Sequence, residues 1–372
     1  MTEPATGAEP ATGAAPAGGG RPRRQEQEPP EDGAREVGPG ILRLQLPVDM
    51  PGLGHVNAYA LLDDRGAAVV DPGVPGAASW RALGARLRDA GLRPRDVHTI
   101  VVTHSHPDHF GGAHRLAAER GAPIVTHGAF RSRWLGGAGT CDLPDVDPDD
   151  VPATNPWEEP TPWGGESFAS GWRRQVEEGA GGGAGGAGGG ERFEDWLPPQ
   201  PDRVVADGET LSLAGREWRC LYTPGHTLDH LCLHDPEAGI LLSGDHVLPT
   251  ITPHISGIGS GRDPLAAFVA SLDRVAATPD VRLVLPAHGH PFTDLPGRVA
   301  AIEAHHEERL ERIRELGAAL GPATVVELSH ELFRPQRWGP MAESETYAHL
   351  EHLRLAGLAE RHQRGAELVY VL

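Results

Sequence analysis

Thr103-His104-Ser105-His106-Pro107-Asp108-His109-Phe110-Gly111-Gly112 places four metal-capable side chains, His104, His106, Asp108 and His109, in one short stretch. Imidazole and carboxylate are ligands for borderline divalent ions such as Zn²⁺. Burying that many without a cation would leave costly unpaired polar groups. A spacing of His-x-His-x-Asp-His therefore points to a metal site rather than to scattered surface histidines.

The elements around the stretch must aim it. The apolar run Ile100-Val101-Val102 precedes it and reads as a strand, while Gly111-Gly112 opens a helix-like segment from Ala113 to Arg120 closed by Gly121. The cluster thus belongs at a strand end, where α/β proteins keep their chemistry. Other strands are predicted to exit the same way. Ala67-Ala68-Val69-Val70 ends at Asp71, after a hairpin turn at Asp63-Asp64-Arg65-Gly66. The alternating Trp218, Cys220 and Tyr222 lead to Thr223-Pro224-Gly225-His226-Thr227; Ile240-Leu241-Leu242 leads to Ser243-Gly244-Asp245-His246; and Val281-Arg282-Leu283-Val284-Leu285 leads to Pro286-Ala287-His288-Gly289-His290. A helix over Trp80 to Ala90, stopped by Gly91, separates two of these strands, and the strand, helix, strand alternation predicts an α/β layer architecture.

From Ile41 to His290 the ordered set of motifs resembles the metallo-β-lactamase-fold superfamily. Asp71 is similar to its first motif, the His104, His106, Asp108, His109 cluster to its second, His226 in TPGHT to its third, Asp245 in SGDH to its fourth and His288 in PAHG to its fifth. The resemblance implies a four-layer αββα sandwich holding two metals in a groove at one edge. The implied ligands are His104, His106 and His226 at one site and Asp108, His109 and His288 at the other, with Asp245 bridging. Asp71 would orient a ligand rather than bind metal. Two Zn²⁺ are the implied ions, with Fe or Mn as alternatives, and a bridging hydroxide the implied nucleophile, with Asp108 orienting water or receiving its proton. His230 and His246 are candidates to line the substrate groove, whereas His98, His114 and His127 match no motif.

Outside these motifs the chain is uneven. Residues 1–38 hold little beyond Pro, Gly, Ala and Glu and predict a disordered tail, because they cannot bury enough surface to offset ordering. Residues 39–300 form the expected catalytic domain, interrupted over 135–201 by an irregular Gly-rich insertion that carries Trp157, Trp163, Trp172 and Trp196, with Trp134 just before it. Residues 301–372 predict helices over Ala304 to Leu320, Ala323 to Phe333 and Ser344 to Leu355, then a terminal hairpin about Arg364-Gly365: a winged-helix pattern. With GHTxDH it resembles the β-lactamase-like protein 2 type, shared by single-strand endoribonucleases and by acyl-carrier-protein thioesterases.

The net charge of -19, with every basic residue an Arg, argues against a nucleic-acid surface, as does the acidic third helix with Glu343, Glu345 and Glu351. Cys141, Cys220 and Cys232 form no CxxC pair and suggest neither disulfides nor thiolate zinc. No signal-peptide pattern or long apolar run is present, so a cytoplasmic location is expected. The leading expectation is a metallo-hydrolase cleaving a thioester or related acyl ester, of a small molecule or a carrier, with the C-terminal module shaping the pocket or a homodimer contact. The alternatives are phosphodiester hydrolysis of single-stranded RNA and an iron-dependent redox enzyme of the same fold.

Overall fold

The computed structural model describes residues 24–50, 52–130, 145–177 and 193–372 of the chain. Seven strands form the first sheet in chain order: β1 (Ala34–Gly38), β2 (Ile41–Met50), β3 (Leu53–Asp63), β4 (Gly66–Val70), β5 (Val97–Val101), β6 (Ile124–His127) and β7 (Arg203–Val205). Neighbours are antiparallel through β4 and parallel from β4 to β7. The predicted hairpin turn lies between β3 and β4, where Asp63 faces Gly66. A second sheet has the order β12-β11-β10-β9-β8, from β8 (Thr210–Leu213), β9 (Arg216–Tyr222), β10 (Leu231–Asp235), β11 (Ile240–Gly244) and β12 (Leu283–Pro286), with β11 and β12 parallel.

The central strands of both sheets are covered on both faces and read as nearly continuous apolar runs, whereas β8 and the start of β9 alternate buried and exposed residues. Successive side chains point to opposite faces. Val69 and Ile100 therefore face helices α1 (Ala77–Asp89) and α3 (Ala113–Arg120), packing on Leu83, Leu87 and Leu116. Val70 and Val101 face inward against Trp218, Leu231, Leu233 and Leu285 of the other sheet. Beyond that sheet, Leu241 and Val284 meet Leu265, Phe268 and Leu272 of α5 (Pro264–Ala276) and Val299 and Ile302 of α6 (Leu295–Leu320). The result is an α/β sandwich with helices outside two stacked sheets. Short α2 (Pro107–Phe110) lies at the sheet edge inside the opening motif.

Helix α6 starts well before the predicted Ala304. Asp294 caps it by accepting from Gly297 N at 3.0 Å, and Pro296 suits its first turn. It crosses the expected division at residues 300 and 301. Its first turns pack on the second sheet, whereas Ile313 and Leu316 join Val325, Leu328, Leu350, Leu353 and Tyr370 in a separate core. That core belongs to α7 (Val325–Leu332), α8 (Pro340–Leu355) and a three-stranded sheet of order β13-β15-β14, from β13 (Ala323–Thr324), β14 (Glu360–Arg364) and β15 (Glu367–Val371). Thr324 and Glu327 form a reciprocal capping box that starts α7.

The N-terminal expectation needs correction. Residues 24–38 are not part of a disordered tail: Gln25–Gln27 form a 3-10 turn and Ala34–Gly38 a strand. The anchor is polar. Fully buried Glu26 accepts from Thr250 N at 2.8 Å and Ile251 N at 3.1 Å, and Gln25 Oε1 accepts from His290 N at 3.1 Å. Composition counts apolar burial only, and so overlooks a segment held by charge-assisted hydrogen bonds. Residues 1–23, Trp134, Cys141 and the run from Gly179 to Gly190 lie outside the described residues. Within the expected irregular insertion, α4 (Phe168–Glu177) forms. Trp163 is buried there, donating Nε1 to Glu343 Oε2 at 3.0 Å with its ring 5.1 Å from Tyr347, so this part docks on the C-terminal module.

Candidate metal centre

Five strands deliver the site from their carboxyl ends. Strand β4 ends before Asp71; β5 runs into Thr103, His104 and α2, whose first turn carries Asp108 and His109; β9 leads to His226, β11 to Asp245 and β12 to His288. Parallel pairing of β4 with β5 and of β11 with β12 puts these ends on the same edge. Two backbone features fix the deliveries. Asp71 adopts a φ of 53°, which turns its carboxylate back toward the neighbouring strand end. Gly225 has a φ of 133°, and a Cβ there would collide with the Phe268 backbone, so the turn before His226 requires glycine.

Two groups of ligand atoms converge. In the first, His106 Nδ1 lies 3.0 Å from both His104 Nε2 and His226 Nε2, and Asp245 Oδ2 is 3.9 Å from His104 Nε2 and 3.6 Å from His226 Nε2. In the second, Asp108 Oδ2 is 3.4 Å from His288 Nε2 and 3.7 Å from His109 Nε2. Asp245 faces both: its Oδ2 is 3.5 Å from His109 Nε2 and its Oδ1 3.4 Å from His288 Nε2. Ligands bonded at ~2.0–2.1 Å to a tetrahedral ion stand roughly 3.4 Å apart, within the range seen here. Each group could hold one metal ion.

The donor set fits a cation for a second reason. His109 Nε2, His288 Nε2 and Asp245 Oδ1 are buried with no hydrogen-bond partner. Meanwhile the outer nitrogens are occupied. His109 Nδ1 pairs with Asp71 Oδ2 at 2.9 Å, His226 Nδ1 with the His254 carbonyl at 2.6 Å, His288 Nδ1 with the His55 carbonyl at 2.6 Å and His104 Nδ1 with Thr103 Oγ1 at 3.1 Å. A carbonyl or carboxylate accepts a hydrogen bond from the outer N–H, keeping the proton there and leaving the inner lone pair free for metal.

Without a cation the cluster must hold protons instead. Burial opposes the imidazolium of His109, but Asp245, Asp108 and Asp71 together hold its pKa well above the usual histidine value. His288 is likewise disfavoured by burial yet raised to about 10 by Asp245 and Asp108. Burial and the neighbouring imidazoles push His104 and His106 well below the usual value, leaving them neutral. For Asp108, burial is outweighed by His109 and His288, which lower it to about 2. The carboxylates thus favour positive charge in this pocket, as protons or as metal.

The seven ligand candidates named from the sequence all come together, and Asp71 touches ligand His109 and Thr103. His230 and His246 do not line an open groove; both are fully buried. His230 bonds Thr223 Oγ1 at 2.8 Å through Nδ1 and accepts from Asp245 N at 3.0 Å, so it supports the bridging aspartate from beneath. His246 packs with its ring 5.0 Å from Phe268. The pattern of alternating small and polar residues around them gives no sign of depth. His127 is also buried, stacked 4.0 Å from Tyr222, while His114 is exposed. His55 and His254 were not legible as site residues, because they act through main-chain carbonyls that carry no side-chain signature. Beside His106 a pocket opens between Thr227, Leu228, Ser256, Ile258 and Trp157 of the insertion.

Two stacked sheets with a histidine and aspartate cluster at one edge define a metal-site α/β sandwich. Residues 51–320 match the profile of the metallo-beta-lactamase superfamily, and the chain belongs to that superfamily. A metallo-beta-lactamase family protein from Thermus thermophilus superposes with a TM-score of 0.69 at 32% identity, covering 90% of this chain and 99% of that one. The lactamase-like protein vrtG of Penicillium aethiopicum is 34% identical over 116 residues, 31% of this chain and 35% of its own length. An atrochrysone carboxyl ACP thioesterase of Aspergillus chevalieri is 32% identical over 124 residues, 32% of this chain and 37% of its own length. The chain therefore spans about a third of the length of the curated relatives it matches. Among the described residues no helix is long and apolar enough to cross a membrane.

Proposed function

We propose that this chain is a metal-dependent hydrolase that cleaves a thioester or related acyl ester at a centre of two divalent ions, with zinc as the expected metal. The observation that carries this reading is the pair of converging ligand groups joined by Asp245, with three buried inner atoms left unpartnered. The relative named an ACP thioesterase supports a carrier-bound acyl substrate. When bound, such ions lower the pKa of water and polarise a carbonyl.

The chain's own residues divide the remaining work. Asp245 ties the two ligand groups at a fixed separation, and the anionic Asp108 carboxylate receives the proton lost by water on attack. The cleft between His106 and Trp157 encloses only about 10 Å³, so an acyl group would lie over its mouth, against Trp157, Leu228 and Ile258. The C-terminal helices and sheet form a winged-helix module with a structural role. Three of its acidic residues already have protein partners: Glu343 with Trp163 of the insertion, Glu345 with Arg309 and His254, and Glu351 with Arg354, Arg361 and Tyr370.

A panel of acyl thioesters, lactones, β-lactams and single-stranded RNA, run with the wild type and Asp108→Ala, tests the reading. Metal-dependent thioester turnover that Asp108→Ala abolishes is expected. Turnover of RNA alone, or protein that binds no metal, would overturn it.

A further inference from the structure

The outer nitrogen of His226 is held by a main-chain carbonyl, that of His254, in the loop that follows β11 and Asp245. This loop is not held by the sandwich alone. Gly257 N donates to Ser344 Oγ at 3.0 Å, and Ser256 Oγ lies 3.4 Å from the same hydroxyl. His254 Nδ1 stands 3.4 Å from Glu345 Oε2, while Arg309 Nη1 sits 3.0 Å from Glu345 Oε1. At Gly257 a Cβ would lie 2.6 Å from Tyr347 Cδ1 and 2.8 Å from the Ser344 carbonyl, so loop and helix are in direct van der Waals contact. Every one of these partners except Arg309 belongs to Pro340–Leu355 of the C-terminal module.

The geometry points to Glu345 as a positioning residue for the metal centre: by holding His254 it fixes the carbonyl that orients His226, making the C-terminal module part of the site's construction. Three observations agree. The relay runs without a gap from Arg309 through Glu345 and His254 to His226. The same loop supplies Ser256, Ile258 and Ser260 to the pocket beside His106, so its placement sets both a ligand and a wall. Ser260 Oγ also donates to the His226 carbonyl at 3.5 Å, tying the loop to the ligand's main chain. A carbonyl held in place fixes the ring orientation and tautomer of the histidine it pairs with, and such partners typically change metal affinity tenfold or more when disturbed.

This inference rests on the two-metal reading, and the experiment separates them. Metal-stripped protein is titrated with Co²⁺, reading both affinity and the visible absorption of each bound equivalent, for the wild type, Glu345→Gln and Glu351→Gln. Glu351 pairs with Arg354, Arg361 and Tyr370 inside the same module, away from the loop, so its substitution reports loss of stability alone. Glu345→Gln is expected to weaken one of the two equivalents by about tenfold and to change its absorption, leaving the other as in the wild type. Glu351→Gln should bind both as the wild type does, even with a lower melting temperature. Should Glu345→Gln prove insoluble, Ser344→Ala, which frees Gly257 N from the same helix, carries the test in the same direction. Combining Glu345→Gln with His254→Asn should cost no more affinity than either alone. Wild-type affinity and absorption in Glu345→Gln would overturn the positioning role, as would equal weakening in Glu351→Gln or full additivity with His254→Asn. Wild type that binds no Co²⁺ would overturn the two-metal reading itself.

Discussion

His109 Nδ1 donates to Asp71 Oδ2 at 2.9 Å, and both groups are buried. The same carboxylate accepts from Thr103 N and Thr103 Oγ1, each at 2.8 Å. Asp71 thus welds the end of β4 to the end of β5 and fixes one ligand's tautomer at once. Asp71→Asn would keep the backbone, since Asn tolerates positive φ, but would place an amide NH₂ against two donors or lose the Thr103 N contact. Metal affinity should fall about 10- to 100-fold, read as the competitor concentration that strips one ion. Unchanged affinity would contradict the orienting role.

Among the described residues, Asp245 is the one carboxylate within 4 Å of histidines in both ligand groups. Asp245→Asn should therefore lower the bound metal from about two per chain toward one and cut turnover by roughly 100-fold or more. Elemental analysis after dialysis checks the first, steady-state kinetics the second. A variant that keeps both ions and turnover would show that the bridge is dispensable.

Why was so much of the site legible, and what was not? The site residues follow apolar runs closely, as the orienting Asp71 follows Val69-Val70 and the ligand candidate Asp245 comes just after Leu241-Leu242-Ser243-Gly244, so strand pattern and residue type pointed to the same places. The supports were hidden for different reasons. His55 and His254 contribute carbonyls, which every residue has. His230 and His246 look like groove residues beside the ligands, yet the alternation that exposes a ligand turns its neighbour into the core. Glu26 reads as part of a polar tail, and only the three donors at Thr250 and Ile251 explain why it is buried. The start of α6 at Leu295 was written in Asp294 and Pro296, a capping signal outweighed by the later periodicity of Leu310, Ile313 and Leu316.

Under the proposed function, Trp157 would give the insertion a measurable part in substrate choice. Its ring packs edge-on against Phe168 at 5.2 Å and borders the pocket with Leu228 and Ile258. Removing apolar contact worth about 1–2 kcal/mol should raise KM roughly tenfold for long or aromatic acyl groups in Trp157→Ala, with kcat little changed. Acetyl thioesters, too short to touch the ring, should be unaffected. An equal effect on short and long substrates would place Trp157 outside the acyl pocket.

A buried histidine pair between α6 and α8 makes acid stability a test of their packing. His306 Nδ1 lies 3.1 Å from His349 Nε2, and His349 Nδ1 donates to the Glu345 carbonyl at 2.7 Å. Burial, then mutual repulsion, pushes His306 down to about 3; burial, partly offset by Glu345, pushes His349 down to about 4. An unfolded histidine titrates near ~6.5, so below that pH the unfolded chain binds more protons than the folded one. The pair's contribution is then fully present above pH ~6.5 and is lost as pH falls toward 4, at up to about 1.4 kcal/mol per pH unit for each histidine. Urea unfolding of metal-stripped protein between pH 7.5 and 4.5 should show the midpoint falling with acid. His306→Gln, with one fewer group to protonate on unfolding, should fall less steeply. Parallel curves for the two proteins would mean that the pair takes up no proton in this range.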